Sequence, residues 1–437
     1  MKALYTQTPM ICKLNEIFSK IFSKETKPTQ QHIIDLLMSV LGLDGFRSVK
    51  FSYSHFIQSL SDFKLKSYYF MLNESKIDID TWMEALILMA ISIIPKELSQ
   101  QLLVLSIDDT MVEKFGDKFE CREKLFDHAA HHGSLYLKGH CFVSLMISVP
   151  IVEKGTIRYI SIPVGYRMWT KEKTKLAMTE ELVRKAMKII GSDRQVCFCC
   201  DSWFPKKEVL SLIDDFDNLA MICNVRHDTV LYELPPEPTH KRGRPKNKGE
   251  KIDLNEFEVE KVEGTDFYVS CRKVVTNIFK KRQVYAIVTR TITGGPRLFI
   301  CTKSPNELNF DLNVPSLGKA LHYAKNNILF LPLTIYSLRW NIEVSFYEMK
   351  KFWSLEDYML RSKIGIERLT NLLMIVYSLM TLLPYYDSLF FPWADKSPQE
   401  TRFLIGWQIQ QELFFATFEN QPTSSKINFS SFFACAG

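Results

Sequence analysis

The stretch Tyr336-Ser337-Leu338-Arg339-Trp340-Asn341-Ile342-Glu343, running on to Lys350, has the form Tyr-x2-Arg-x3-Glu-x6-Lys. At about 100° per residue on a helix, Arg339 falls about 60° behind Tyr336, Glu343 about 20° and Lys350 about 40°. Four functional side chains therefore share one stripe. Ile335, Leu338, Ile342, Phe346, Met349 and Trp353 form an apolar stripe roughly a quarter turn away, which predicts a helix buried along one side. A lone carboxylate among an Arg, a Lys and a phenol suits a site that handles metal and phosphate together. As a large aromatic on a helix, Trp340 is expected in the core, with base stacking as its alternative role.

Two acidic positions upstream complete the pattern. The apolar run Leu102 to Ile107 ends at Asp108-Asp109-Thr110, and the run Val196 to Cys200 delivers Asp201. A carboxylate at the carboxyl end of a strand is where an open α/β sheet builds its site. Alternation does not choose between Asp108 and Asp109 in a sheet covered on both faces. Three carboxylates with few neutral ligands suit Mg²⁺, and two such ions about 4 Å apart serve an in-line phosphodiester displacement.

The elements around these blocks predict an α/β fold with a mixed sheet. Residues 1–95 read as helical, with Thr29 and Thr81 as helix starts. Residues 96–228 carry strands at 102–107, 140–152, 156–169, 196–200 and 219–225. Glu153-Lys154-Gly155 makes a hairpin connection there, with helices at 176–190 and 206–216. Residues 229–325 read as a β-rich insertion with a basic loop. Helices occupy 326–385, and 386–437 forms a tail. Arg226, just past a strand, is a candidate phosphate contact. The loop carries Lys241, Arg242, Arg244 and Lys246, similar to short hooks that thread Arg side chains into the minor groove.

Composition sets outer limits. Across 437 residues, 46% are hydrophobic and 24% charged, with a formal net charge of +6, so basic character must be local to matter. Ten cysteines give one Cys-x-x-Cys spacing, Cys197 to Cys200. With no second pair to complete a zinc site, free buried thiols are the expectation. His128, His131, His132 and His140 are expected to be surface or structural residues. The apolar runs 85–94 and 372–383 are too short to span a bilayer, and no apolar signal core follows Met1. A soluble cytoplasmic protein is expected.

The ordered blocks resemble the DDE transposases of the insertion-sequence-4 group, whose third catalytic block has this Tyr-Arg-Glu-Lys signature. Ile107-Asp108-Asp109-Thr110 resembles the first block, where an Asp is followed by any residue and Thr. Cys200-Asp201-Ser202-Trp203-Phe204 resembles the second. The likeness runs over roughly 100–385. It implies an RNase-H-like catalytic core, with Asp108, Asp201 and Glu343 holding two Mg²⁺ ions and Mn²⁺ able to substitute. Tyr336, Arg339 and Lys350 would hold DNA phosphates. The implied activity is cleavage and strand transfer at terminal inverted repeats, into target DNA, by a homodimer in a prokaryotic, nucleoid-associated setting. The rival expectation is a catalytically silent or domesticated DNA-binding derivative.

Overall fold

The computed structural model describes residues 8–43, 45–127, 133–237, 246–280, 282–308, 310 and 319–418. Among the described residues, five α-helices come first: α1 (Pro9–Ile21), α2 (Lys27–Gly42), α3 (Val49–His55), α4 (Leu65–Asn73) and α5 (Ile79–Ser92). Two starts differ from expectation. α2 begins after Thr26, because Pro28 fits the first helical turn and leaves Thr29 inside it. α5 is capped by Asp78, whose carboxylate accepts from the Asp80 N–H at 3.0 Å, so Thr81 also lies within the helix.

Then come β1 (Leu103–Glu113), β2 (Glu123–Phe126), β3 (Tyr136–Glu153), β4 (Thr156–Met168), α6 (Lys175–Ile190), β5 (Val196–Cys200), α7 (Lys207–Leu210), α8 (Leu212–Asp215) and β6 (Leu219–Val225). The expected helix over 206–216 is thus two short turns. Lys154 and Gly155 join β3 to β4 with φ of 49° and 74°, the left-handed pair that a two-residue hairpin requires. β4, β3 and β1 pair antiparallel, and β1, β5 and β6 parallel, giving the order β4-β3-β1-β5-β6. This mixed sheet with its helices is RNase-H-like, and a helical N-terminal region precedes it.

The β-rich segment continues that sheet. β7 (Leu231–Tyr232), β8 (Lys251–Ile252), β9 (Glu260–Lys261), β10 (Phe267–Thr276), β11 (Gln283–Thr291) and β12 (Arg297–Cys301) follow, and β12 pairs antiparallel with β6. Among the described residues, twelve strands form one sheet. The helices α9 (Lys319–Asn326), α10 (Leu331–Ser337), α11 (Trp340–Phe352), α12 (Lys363–Tyr386) and α13 (Pro398–Phe418) follow.

β1 sorts its side chains by alternation. Leu103, Leu105 and Ile107 join the larger core, while Val104 packs with Cys197, Cys199, Ala220, Ile222, Leu331 and Ile335 on the other face. α12 is longer than the apolar run that marks it. Its 24 residues are long and apolar enough to cross a membrane, but 89% of its most apolar window is buried inside the protein. It packs on β4 and on α2, α4 and α5 as a central core helix.

Candidate functional site

β1 does not stop at Asp108. It continues to Glu113 because β3 goes on pairing with it after β5 has ended, with Asp108 opposite Ser144. The last parallel pair between β1 and β5 is Ser106 with Cys199. Two residues further along β1, Asp108 lies on the face that carries Val104, and Asp201, directly after the end of β5, is near enough to act on its charge. Asp109, one residue on, points to the opposite face. Its Oδ2 accepts from Lys175 Nζ at 2.7 Å and from Cys141 Sγ at 3.2 Å. Alternation therefore separates the doublet: Asp108 shares a face with the Glu343 helix, and Asp109 is held by α6.

The Tyr336–Lys350 stretch is not one continuous helix. Leu338 and Arg339 form a turn between α10 and α11, and the N–H groups of Leu338, Arg339, Asn341 and Ile342 each bond three residues back. This tighter winding changes the phase between Tyr336 and the residues after it. The apolar stripe survives in two parts. Ile335 and Leu338 pack in the smaller core, and Ile342, Phe346, Met349 and Trp353 in the larger. Trp340 is not in the core: it is 60% exposed. It lies about 200° from Ile342 on α11, opposite the side that the stripe commits to burial.

Arg339 joins the carboxylates. Its two terminal nitrogens donate to Asp108 Oδ2 at 3.0 Å and to Glu343 Oε1 at 2.5 Å. Those two bonds and the width of the guanidinium fork hold the two acceptor oxygens within about 8 Å of each other. Burial pushes the Asp108 carboxyl up to about 7; the Asp109 N–H and Arg339 pull it back, and Asp201 and Asp109 add repulsion. Asp201 is also raised, chiefly by burial, against the Trp203 N–H that donates to its Oδ1 at 2.9 Å. The Arg339 guanidinium is held in its charged form against burial by Tyr336, Glu343 and Asp108.

The other expected residues lie around this centre. Lys350 Nζ donates to the Met111 carbonyl on β1 at 2.6 Å. The Tyr336 ring packs edge-on against Phe299 of β12, with centroids 5.0 Å apart, and the Arg339 guanidinium is 5.7 Å from its centroid. Arg226 is exposed and paired with Asp228 at 3.0 Å. It lines an open cavity of about 290 Å³ with Ser202, Asn224, His227 and Arg297. Lys246 is exposed, and Lys241, Arg242 and Arg244 lie outside the described residues, as do His128, His131 and His132. His140 is structural: its ring nitrogens meet the Tyr358 hydroxyl at 2.7 Å and the Glu120 carbonyl at 2.9 Å.

Sequence reasoning missed Lys175, Trp203 as a site residue, and Arg297. Lys175 and Arg297 carry no local signal, since long-range pairing places them. Trp203 is a large aromatic in a polar segment directly after a strand, which was a readable sign of exposure.

Residues 55–266 match the family of DDE superfamily endonucleases. The match takes in Asp108 and Asp201 and ends before Glu343. It supports a DNA-cutting, DDE-type nuclease, a class that works with divalent metal ions. A search of curated proteins finds no match to the chain.

Among the described residues, no three His, Cys, Asp or Glu side chains are drawn together as a metal cluster. The donor chemistry nonetheless fits a hard cation. All three groups are carboxylates, two are desolvated, and one Arg is shared between Asp108 and Glu343. With the Arg339 head swung towards a phosphate, these oxygens would be free for a dication.

Proposed function

We propose that the protein is a transposase of the insertion-sequence-4 group, which binds terminal inverted repeats and catalyses metal-dependent DNA strand cleavage and strand transfer. The observation that carries this reading is the meeting of Asp108 and Glu343 on one guanidinium, with Asp201, directly after the neighbouring strand, close enough to act on the Asp108 charge. Asp108, Asp201 and Glu343 would hold two Mg²⁺ ions, or Mn²⁺. Bound there, the ions would supply an activated oxygen nucleophile and charge stabilisation for the leaving oxygen.

The chain's own residues position and neutralise. Arg339 is near enough to leave the carboxylates for a scissile phosphate, and a planar fork suits two phosphate oxygens at once. Lys350 lies along β1 beyond Asp108, where it would meet the next phosphate, and Tyr336 would brace Arg339. Trp340, Arg226 and the Lys241–Lys246 loop would extend the DNA contact, with phosphate neutralisation giving a salt-dependent affinity. Work on two element ends calls for a homodimer, acting at the nucleoid of a prokaryotic cell.

The test is cleavage of DNA carrying the element's own ends, with Mg²⁺. Asp108→Asn and Glu343→Gln are expected to lose about a hundredfold to a thousandfold in rate, the contribution of one preorganised charge-stabilising group. Asp109→Asn should stay within about tenfold of the unmodified protein. Equal cleavage by Glu343→Gln and the unmodified protein would remove Glu343 from the reaction and overturn the proposal.

A further inference from the structure

The segment after β5 presents a group that the carboxylate site does not use. Trp203 is 42% exposed although it follows Asp201 by two residues. Its position is fixed from both ends. Its N–H donates to Asp201 Oδ1 at 2.9 Å, and its ring meets the buried Phe204 edge-on, with centroids 5.1 Å apart. Two ammonium groups attend the ring: Lys206 Nζ at 4.5 Å from its centroid and Lys175 Nζ at 6.0 Å. Lys175 is tied to Asp109, whereas Lys206 is exposed and has no carboxylate partner among the described residues.

An exposed indole locked in place beside cations combines two kinds of recognition. Its π-face stacks a planar base, and the ammonium groups neutralise the adjoining phosphate. A base inside a duplex already has both faces covered by its neighbours. The ligand that fits is therefore a DNA nucleotide without a paired, stacked neighbour, at a strand end or in a single-stranded extension. Because Asp201 itself holds the Trp203 backbone, that nucleotide would lie next to whatever phosphate the carboxylates handle.

We propose that Trp203, with Lys206 and Lys175, forms a subsite for an unpaired nucleotide of the DNA strand adjoining the scissile phosphate. The inference rests on the nuclease reading above and adds a substrate preference to it: DNA with a single-stranded portion at the cleavage point over fully paired DNA.

The test uses the full-length protein with fluorescently labelled DNA and Ca²⁺ in place of Mg²⁺, read by anisotropy. One probe is a flush-ended duplex, and the other is the same duplex with a short single-stranded extension. The unmodified protein should bind the extended probe more tightly. Trp203→Ala should lose between about fivefold and a hundredfold in affinity for the extended probe, the worth of one base stack, and stay within about threefold on the flush duplex. Trp203→Phe, which keeps a stacking ring, should restore most of the loss. Lys206→Gln should weaken both probes and lower the salt dependence by about one ion.

The inference is overturned if the unmodified protein shows no preference for the extension. It fails equally if Trp203→Ala binds both probes normally or loses equally on both. In each of those cases binding to the flush duplex persists in the unmodified protein, and the nuclease reading stands. If the unmodified protein binds neither probe, the nuclease reading falls with the subsite.

Discussion

Asp108 should make the metal-free protein less stable as pH rises, and its replacement by Asn should remove that effect. The folded carboxyl keeps its proton up to about pH 7, whereas an unfolded chain releases it near 3.8. Between those values the folded state binds the extra proton. Its stability is full below the lower value, falls as pH rises, and levels off above about 7. A shift of about three units corresponds to about 4 kcal/mol at pH 8, at roughly 1.4 kcal/mol per unit. The physical cause is burial of a carboxylate whose share of one Arg does not repay its lost hydration.

Asn at this position keeps the shape without the charge, and Arg339 retains Glu343 as a partner. The assay is urea denaturation in EDTA at pH 5 and pH 8. The unmodified protein should lose about 2.5 kcal/mol relative to Asp108→Asn between the two, since about 1.2 of the three units are already lost at pH 5 and all other titrating groups are common to both. Parallel pH dependences in the two proteins would refute the reasoning.

Two further outcomes are expected. Arg339→Gln should tighten Mn²⁺ binding at least several-fold by calorimetry while weakening DNA binding, since the same cation that opposes a metal between Asp108 and Glu343 would hold phosphate. Ile342→Ala, at a fully buried position on α11, should cost about 3 kcal/mol in denaturation, while Trp340→Ala should stay within about 0.5 kcal/mol because the indole lies mostly in solvent.

What the sequence revealed and what it hid follow from the range of the interactions. β5 and β6 were readable to the residue because they are apolar runs buried on both faces, interrupted only by Asn224 in β6. The β3–β4 hairpin was readable because Lys154-Gly155 is a local turn signal. The full length of β1 was hidden, because its more polar second half is kept extended by β3 residues about 26 to 36 positions further along the chain. The break at Leu338–Arg339 was hidden too, since the apolar spacing runs on across it. Trp340 was misplaced by weighing residue type over position, although the stripe through Ile342 already set the phase. In the candidate site, the residue types and their order came from spacing. The separation of Asp108 from Asp109 needed Lys175, which sequence alone does not bring to β1.

The pairing of β12 with β6 has a consequence for how the chain can be cut. β6 lies beside the strand that delivers Asp201, and its outer backbone groups are paired by residues 298–302. Excising the segment between β6 and α10 would turn a shielded strand into a bare edge of apolar residues, the kind of surface on which chains aggregate. The β6 amides should accordingly exchange with deuterium as slowly as those of β5. A shortened protein should precipitate instead of behaving as a smaller soluble core.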